Sequence, residues 1–246
     1  MKRTNALLAT LLLTLTASLY APVSAMTVAE VESAETEQRG GRVRAALNLA
    51  VLVQDDLVPR VGNEIRRTQD FIRALPEGSR VMIGYIRAGS LQVREPFTTD
   101  LERAAKALRI PVGSTAASPY NPYVEVIEAL RKFDAQNTNP NALLLISDGL
   151  DTSHGFDYAS AVNSVDLNRA VREAKRRDVA VYSFYAPSVG LTGFSRTATS
   201  AGQGALNRLS QETGGRAFFQ GTSFVTFDAY FERLGRALNE KYSPIS

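Results

Sequence analysis

The 246 residues contain no cysteine and a single histidine, His154. Without thiols the chain forms no disulfide, carries no lipid on a cysteine and supplies no Cys/His dyad. One histidine leaves too few nitrogen and sulfur ligands for a zinc centre. His154 falls in a polar loop, Leu150 to Asp157, where solvent exposure is expected. No G-x-S-x-G nucleophile turn occurs, which argues against a serine hydrolase. No glycine-rich turn follows the first strand: Gln54-Asp55-Asp56-Leu57-Val58-Pro59 stands there instead and would repel phosphate. A block of Lys and Arg is also missing, so nothing in the charge pattern calls for nucleic acid or an anionic membrane as partner.

Long apolar runs are scarce as well. The N-terminal stretch Ala6 to Ala21 is broken by Thr10, Thr14, Thr16 and Ser18, and is shorter than the roughly 20 residues of a spanning helix. Lys2 and Arg3 precede it and Val23-Ser24-Ala25 follows, the pattern of a secretory signal peptide cleaved after Ala25. The expected product is exported, periplasmic or extracellular, with no integral membrane segment. Removing Lys2 and Arg3 leaves 26 basic residues against 25 acidic ones, a nearly neutral chain. Residues 26–42 read as a polar leader and 43–246 as one domain with a sizeable core.

What remains alternates between two periodicities. Strands are expected at Leu47 to Val53, Arg80 to Arg87, Leu91 to Glu95, Ala142 to Ile146, Val179 to Ala186 and Arg216 to Gln220. Helices are expected at Asn63 to Leu75, Thr98 to Arg109, Asn121 to Phe133, Asp166 to Arg177, Ala205 to Thr213 and Thr226 to Glu240. In the third of these, Val124, Ile127, Leu130 and Phe133 form the expected buried stripe. The Gly/Ser/Thr-rich segment Ser188 to Gly204 reads as a surface loop. Ala88-Gly89-Ser90 turns the second strand into the third, making one sheet edge antiparallel. The fold class expected is α/β: a doubly wound, mostly parallel sheet with one antiparallel edge strand and helices on both faces.

Two strands end in acid. Leu47 to Val53 runs into Gln54-Asp55-Asp56, and Ala142 to Ile146 into Ser147-Asp148-Gly149. In an open parallel sheet, residues beyond neighbouring carboxyl ends face one crevice. Asp56 and Asp148, with Ser118 before the Pro119 helix start, would offer oxygen to a hard divalent cation. A plainer alternative makes Asp148-Gly149 a turn and Asp55-Asp56 a helix-capping pair. Tyr120 and Tyr123 in the same Ser118 to Tyr123 loop supply amphipathic surface for a partner, or else pack as cover and core.

The order of these elements, with Leu75-Pro76 before Ser79-Arg80-Val81, Pro96 to Asp100, Leu143 to Gly149 and Leu209 to Phe218, resembles a von Willebrand factor A (VWA) domain of the secreted bacterial kind over about residues 43–242. The resemblance implies a metal-ion-dependent adhesion site built from Asp-x-Ser-x-Ser, a later Thr and a final Asp. Here the motif is degenerate. Aligned on Asp56, both serine positions hold Val58 and Arg60; the Thr position falls on Ser118, with Thr115 second, and the last Asp is Asp148. The expectation is therefore a protein-binding module, not an enzyme, that uses Asp56, Arg60, Ser118, Tyr120 and Asp148. Asp56, Ser118 and Asp148 would hold Mg²⁺ or another divalent cation weakly or not at all, and Arg60 would compete with it or receive a partner's carboxylate. Alternatives are a divalent-metal hydrolase using Asp55, Asp56 and Asp148, and a structural cell-envelope domain with an unoccupied crevice.

Overall fold

The computed structural model describes residues 42–135, 137–159, 163–219 and 227–243. The signal-peptide and leader assignments, apart from residue 42, lie outside the described residues, as do Gln220 and Thr226 at the expected element ends. Six strands form one sheet in the order β3-β2-β1-β4-β5-β6. They are β1 Asn48–Gln54, β2 Arg80–Arg87, β3 Ser90–Thr98, β4 Asn141–Ser147, β5 Val179–Tyr185 and β6 Ala217–Phe218. β2, β1, β4, β5 and β6 pair in parallel, and β3 closes the edge antiparallel to β2. The tight turn between them places Ala88 and Gly89 at φ 48° and 73°, as a two-residue hairpin requires.

Among the described residues the sheet is covered by helices α1 Gly62–Arg73, α2 Leu101–Ala107, α3 Pro122–Leu130, α4 Val165–Arg176, α5 Arg196–Glu212 and α6 Asp228–Tyr242. Side chains alternate along each strand, so β1 sends Leu49, Val51 and Val53 into one core and Ala50 and Leu52 into the other. The first core is closed by α1, α2 and α6, the second by α3, α4 and α5. Burial on both faces is why the central strands read as unbroken apolar runs rather than alternating ones. Around β5, Phe184 takes Phe218, Phe227, Tyr230 and Phe231 edge-on at 4.9–5.5 Å.

Three expectations need correction. α5 starts at Arg196, so the second half of the expected Ser188 to Gly204 loop is helix. Ser195 caps it by accepting the Ala198 amide at 3.2 Å, and Ala198, Ala201, Gly202 and Ala205 form a buried face at i, i+3, i+4, i+7. Close packing on the sheet overrides the low helix preference of glycine and threonine there. Val124 is 47% exposed, and the buried side of α3 is Tyr123, Val126, Ile127 and Leu130. A strict three-residue spacing rotates about 60° per step away from the 3.6-residue turn, so Val124 leaves the side that Ile127 and Leu130 keep; Asn121 is the cap and Pro122 the first residue. α2 ends at Ala107 rather than Arg109, because Leu108 turns extended ahead of Pro111.

Candidate functional site

The strand order reverses direction between β1 and β4, so no loop crosses above their carboxyl ends and a crevice opens there. It measures about 240 Å³, and its walls include Gln54, Asp56, Thr115, Ser118, Tyr120, Asp148, Thr152 and Ser188. Asp56, Ser118, Tyr120 and Asp148 are thus brought together, as is the second hydroxyl candidate, Thr115. Arg60 lies in the turn Pro59–Val61, and its side chain is outside the described residues. Val58 at the other serine position packs against the first core.

The period of two that sorts the core also sorts the neighbouring acids. Gln54 and Asp56 continue the face of Ala50 and Leu52, toward the loop before α3, whereas Asp55 continues the face of Val53. Asp55 is fully buried in a bidentate pair with Arg109, whose Nη1 and Nη2 lie 2.6 and 2.8 Å from its two oxygens. Arg87 adds a bond at 3.3 Å, and the Val112 amide donates at 3.0 Å. The Arg109 guanidinium also stacks on the Tyr85 ring, 4.1 Å from its centroid. Asp55 therefore belongs to the frame behind the crevice.

Asp56 and Asp148 are held in a shared network. Gln54 donates from Nε2 to Asp56 Oδ1 at 2.7 Å, while its Oε1 accepts from Ser147 Oγ and, at 3.3 Å, from the Asp148 amide. Asp148 accepts the Leu150 amide at 3.1 Å on one oxygen and Thr192 Oγ1 at 2.9 Å on the other. Burial is the main cause that pushes the Asp56 carboxyl up to about 6, with the Asp148 charge adding to it and hydrogen bonds from Gln54 and Ser118 opposing it. Asp148 is raised as well, chiefly by desolvation. Two buried acids side by side, each with raised affinity for its proton, are an arrangement found both in binding sites and in structural networks.

Tyr120 stands at the rim, 62% exposed, with a left-handed φ of 59° that a non-glycine residue adopts only when held. Its carbonyl accepts the Thr152 amide at 2.6 Å, which fixes the loop before α3 to the loop after β4. Tyr123 is core, donating its hydroxyl to the Gly149 carbonyl at 2.6 Å. His154 is exposed and does not line the crevice.

Gln54, Thr192, Ser188 and Thr152 were not among the residues read from sequence. Gln54 was findable as the residue that precedes the acids on the Asp56 face. Thr192 and Ser188 lie in a segment whose composition suggested only loop.

As oxygen donors with net negative charge, Asp56, Ser118 and Asp148 fit a hard cation in kind. In number they fall short, because Val58 has left the ligand set and both Asp148 oxygens already accept hydrogen bonds. Among the described residues no three His, Cys, Asp or Glu side chains cluster as a metal centre. No helix among them is long and apolar enough to cross a membrane.

No protein-family model matches the chain, and no curated protein matches it. Solved structures do. The conserved hypothetical protein BatB of Bacteroides thetaiotaomicron is 12% identical, with a TM-score of 0.53 over 79% of this chain and 98% of its own. An aerotolerance-related membrane protein of Bacteroides fragilis, crystallised with multiple mutations to serines, is also 12% identical, with a TM-score of 0.52 over 79% of this chain and 100% of its own. The SpRpn10 VWA domain is 14% identical and superposes at 0.47 over 81% of this chain and 96% of its own. The first two share this chain's fold: a mostly parallel α/β sheet with one antiparallel edge strand, covered by helices.

Proposed function

We propose that this VWA-like domain is an exported, non-enzymatic module that binds another protein across the carboxyl edge of its sheet. One observation carries the reading: Asp56, Ser118 and Asp148, remote in sequence, line one crevice together with an exposed tyrosine held in a left-handed conformation. Fixed polar groups at the centre and an exposed aromatic on the rim are the make-up of a contact patch. A divalent cation, when present, would be held by Asp56, Ser118 and Asp148, and would supply a positive centre able to accept a partner's carboxylate. Arg60 remains in the proposal as the residue that can do the same without an ion.

The test is affinity capture from an envelope extract with wild type, Asp148→Ala and Tyr120→Ala. Each variant should lose the partner that wild type retains while unfolding as a single transition. Equal recovery by all three would favour a structural domain whose crevice binds nothing.

Because the ligand set is short, millimolar Mg²⁺ or Mn²⁺ should raise the melting temperature by less than about 2 °C relative to chelator, the stabilisation expected when the ion is near or below its dissociation constant. A larger metal-dependent shift would show a tight site and remove the degenerate reading.

A further inference from the structure

A second concavity lies on the helical layer away from the crevice. It holds about 230 Å³ and is lined by Ile127 and Arg131 from α3 and its C-terminal cap, and by Arg169, Arg172, Glu173 and Arg176 from α4. The α4 residues stand at i, i+3, i+4 and i+7, a single stripe facing the end of α3. α3 and α4 each run back toward the start of the next strand, so this groove and the crevice are at different ends of the domain.

Four guanidiniums here meet one carboxylate. Glu173 is committed to Arg176, at 2.7 Å, and to Arg177, at 2.6 Å. Arg169 pairs with Asp166 at 2.8 Å. The side chains of Arg131 and Arg172 have no ion pair or hydrogen bond among the described residues, and they come from the cap of α3 and from α4. Like charges at i, i+3 and i+7 on α4, with a further one brought in from the cap of α3, destabilise the free protein by a few tenths of a kcal/mol per neighbouring pair. Four planar forks around the rim of one concavity offer the bidentate donors that the tetrahedral oxygens of a phosphoryl group accept.

We infer that the groove between α3 and α4 binds a phosphoryl oxyanion, with Arg131 and Arg172 as its primary ligands and Arg169 and Arg176 flanking. The phosphate of a soluble ligand and that of a lipid headgroup share this chemistry.

The experiment has two arms on the whole protein. Pyrophosphate is titrated by isothermal calorimetry at low ionic strength, and vesicles of phosphatidylglycerol are compared with phosphatidylcholine by cosedimentation. Wild type should bind pyrophosphate, and Arg131→Gln with Arg172→Gln should weaken it about tenfold or more. The charge-matched control Arg66→Gln with Arg94→Gln, exposed residues elsewhere on the domain, should bind like wild type. Vesicle binding lost in the same groove variant assigns a lipid headgroup, and pyrophosphate binding without vesicle binding assigns a soluble phosphate. Absence of binding in both arms, or equal weakening by groove and control variants, overturns the inference.

Discussion

Asp55→Asn should lower the stability of this domain while Asp56→Asn, one residue along, should raise it at neutral pH. Asp55 is the buried counter-charge of Arg109 and Arg87, and removing its charge leaves two guanidiniums against a neutral amide that can face only part of the fork. Breaking such a pair from one side costs about 3 kcal/mol, or roughly 6–12 °C in a domain of this size. Among the described residues Asp56 has hydrogen bonds but no cationic partner, and its carboxyl is raised to about 6 from an ordinary 3.8. The native state therefore holds the proton more tightly than the unfolded chain. Its contribution to stability is complete below about pH 4 and is lost as pH rises through 6. At pH 7.5 the ionised form costs about 3 kcal/mol, which an asparagine that still accepts from Gln54 removes. The melting temperature of Asp56→Asn should exceed wild type by about 6–12 °C at pH 7.5, with the difference shrinking through pH 6 to 4 and vanishing below about pH 4. Thermal unfolding across that range reads both signs. A lower melting temperature for Asp56→Asn at pH 7.5 would mean that Asp56 is a structural acid like its neighbour, and the crevice would lose its central residue.

The same pair shows how far the sequence could be read. That two strands end in acid is visible in one dimension, because strands buried on both faces are plain apolar runs and their ends are abrupt. Strand alternation then places Asp55 and Asp56 on opposite faces, but which acid is used up depends on Arg87 and Arg109, 32 and 54 residues further on. Nothing local announces them. The convergence of Ser118 and Asp148 on Asp56 followed from the parallel order of β1 and β4, so topology carried it. Thr192 was missed for a related reason: it lies in the run of small residues before α5, where weak helix preference concealed a helix whose small side chains are what allow it to approach. The misplaced Val124 comes from extending a three-residue spacing along a helix that turns every 3.6 residues, so within α3 only Ile127 and Leu130 of that stripe stay buried.

Gly202→Ala should be among the most damaging single substitutions in the domain, although alanine is the better helix former by about 1 kcal/mol. Gly202 lies inside α5, and a Cβ there would come within 2.0 Å of the Asp148 carbonyl oxygen. The obstacle is backbone, so no side chain can rotate away. Across the contact Gly149, at φ 70°, faces the Gly202 carbonyl and Leu206 at 2.6 and 2.5 Å from its own would-be Cβ. α5 thus meets the end of β4 through two residues that can carry no side chain, and Asp148 is the residue between that contact and the crevice. Pushing the helix away costs overpacking energy at the high end of the usual range, about 3 kcal/mol or more, which outweighs the gain in helix preference. The melting temperature should fall by roughly 6–12 °C. The displaced helix would also draw Thr199 from the Thr192 carbonyl, now 3.1 Å away, and through it loosen the Thr192 hydroxyl on Asp148. Partner capture should therefore fall further than it does for a variant of equal stability loss far from this contact, such as Leu238→Ala in the opposite core. Were Gly202→Ala instead as stable as wild type, α5 would not be seated on β4 this closely, and Asp148 would have to be held in the crevice by other means.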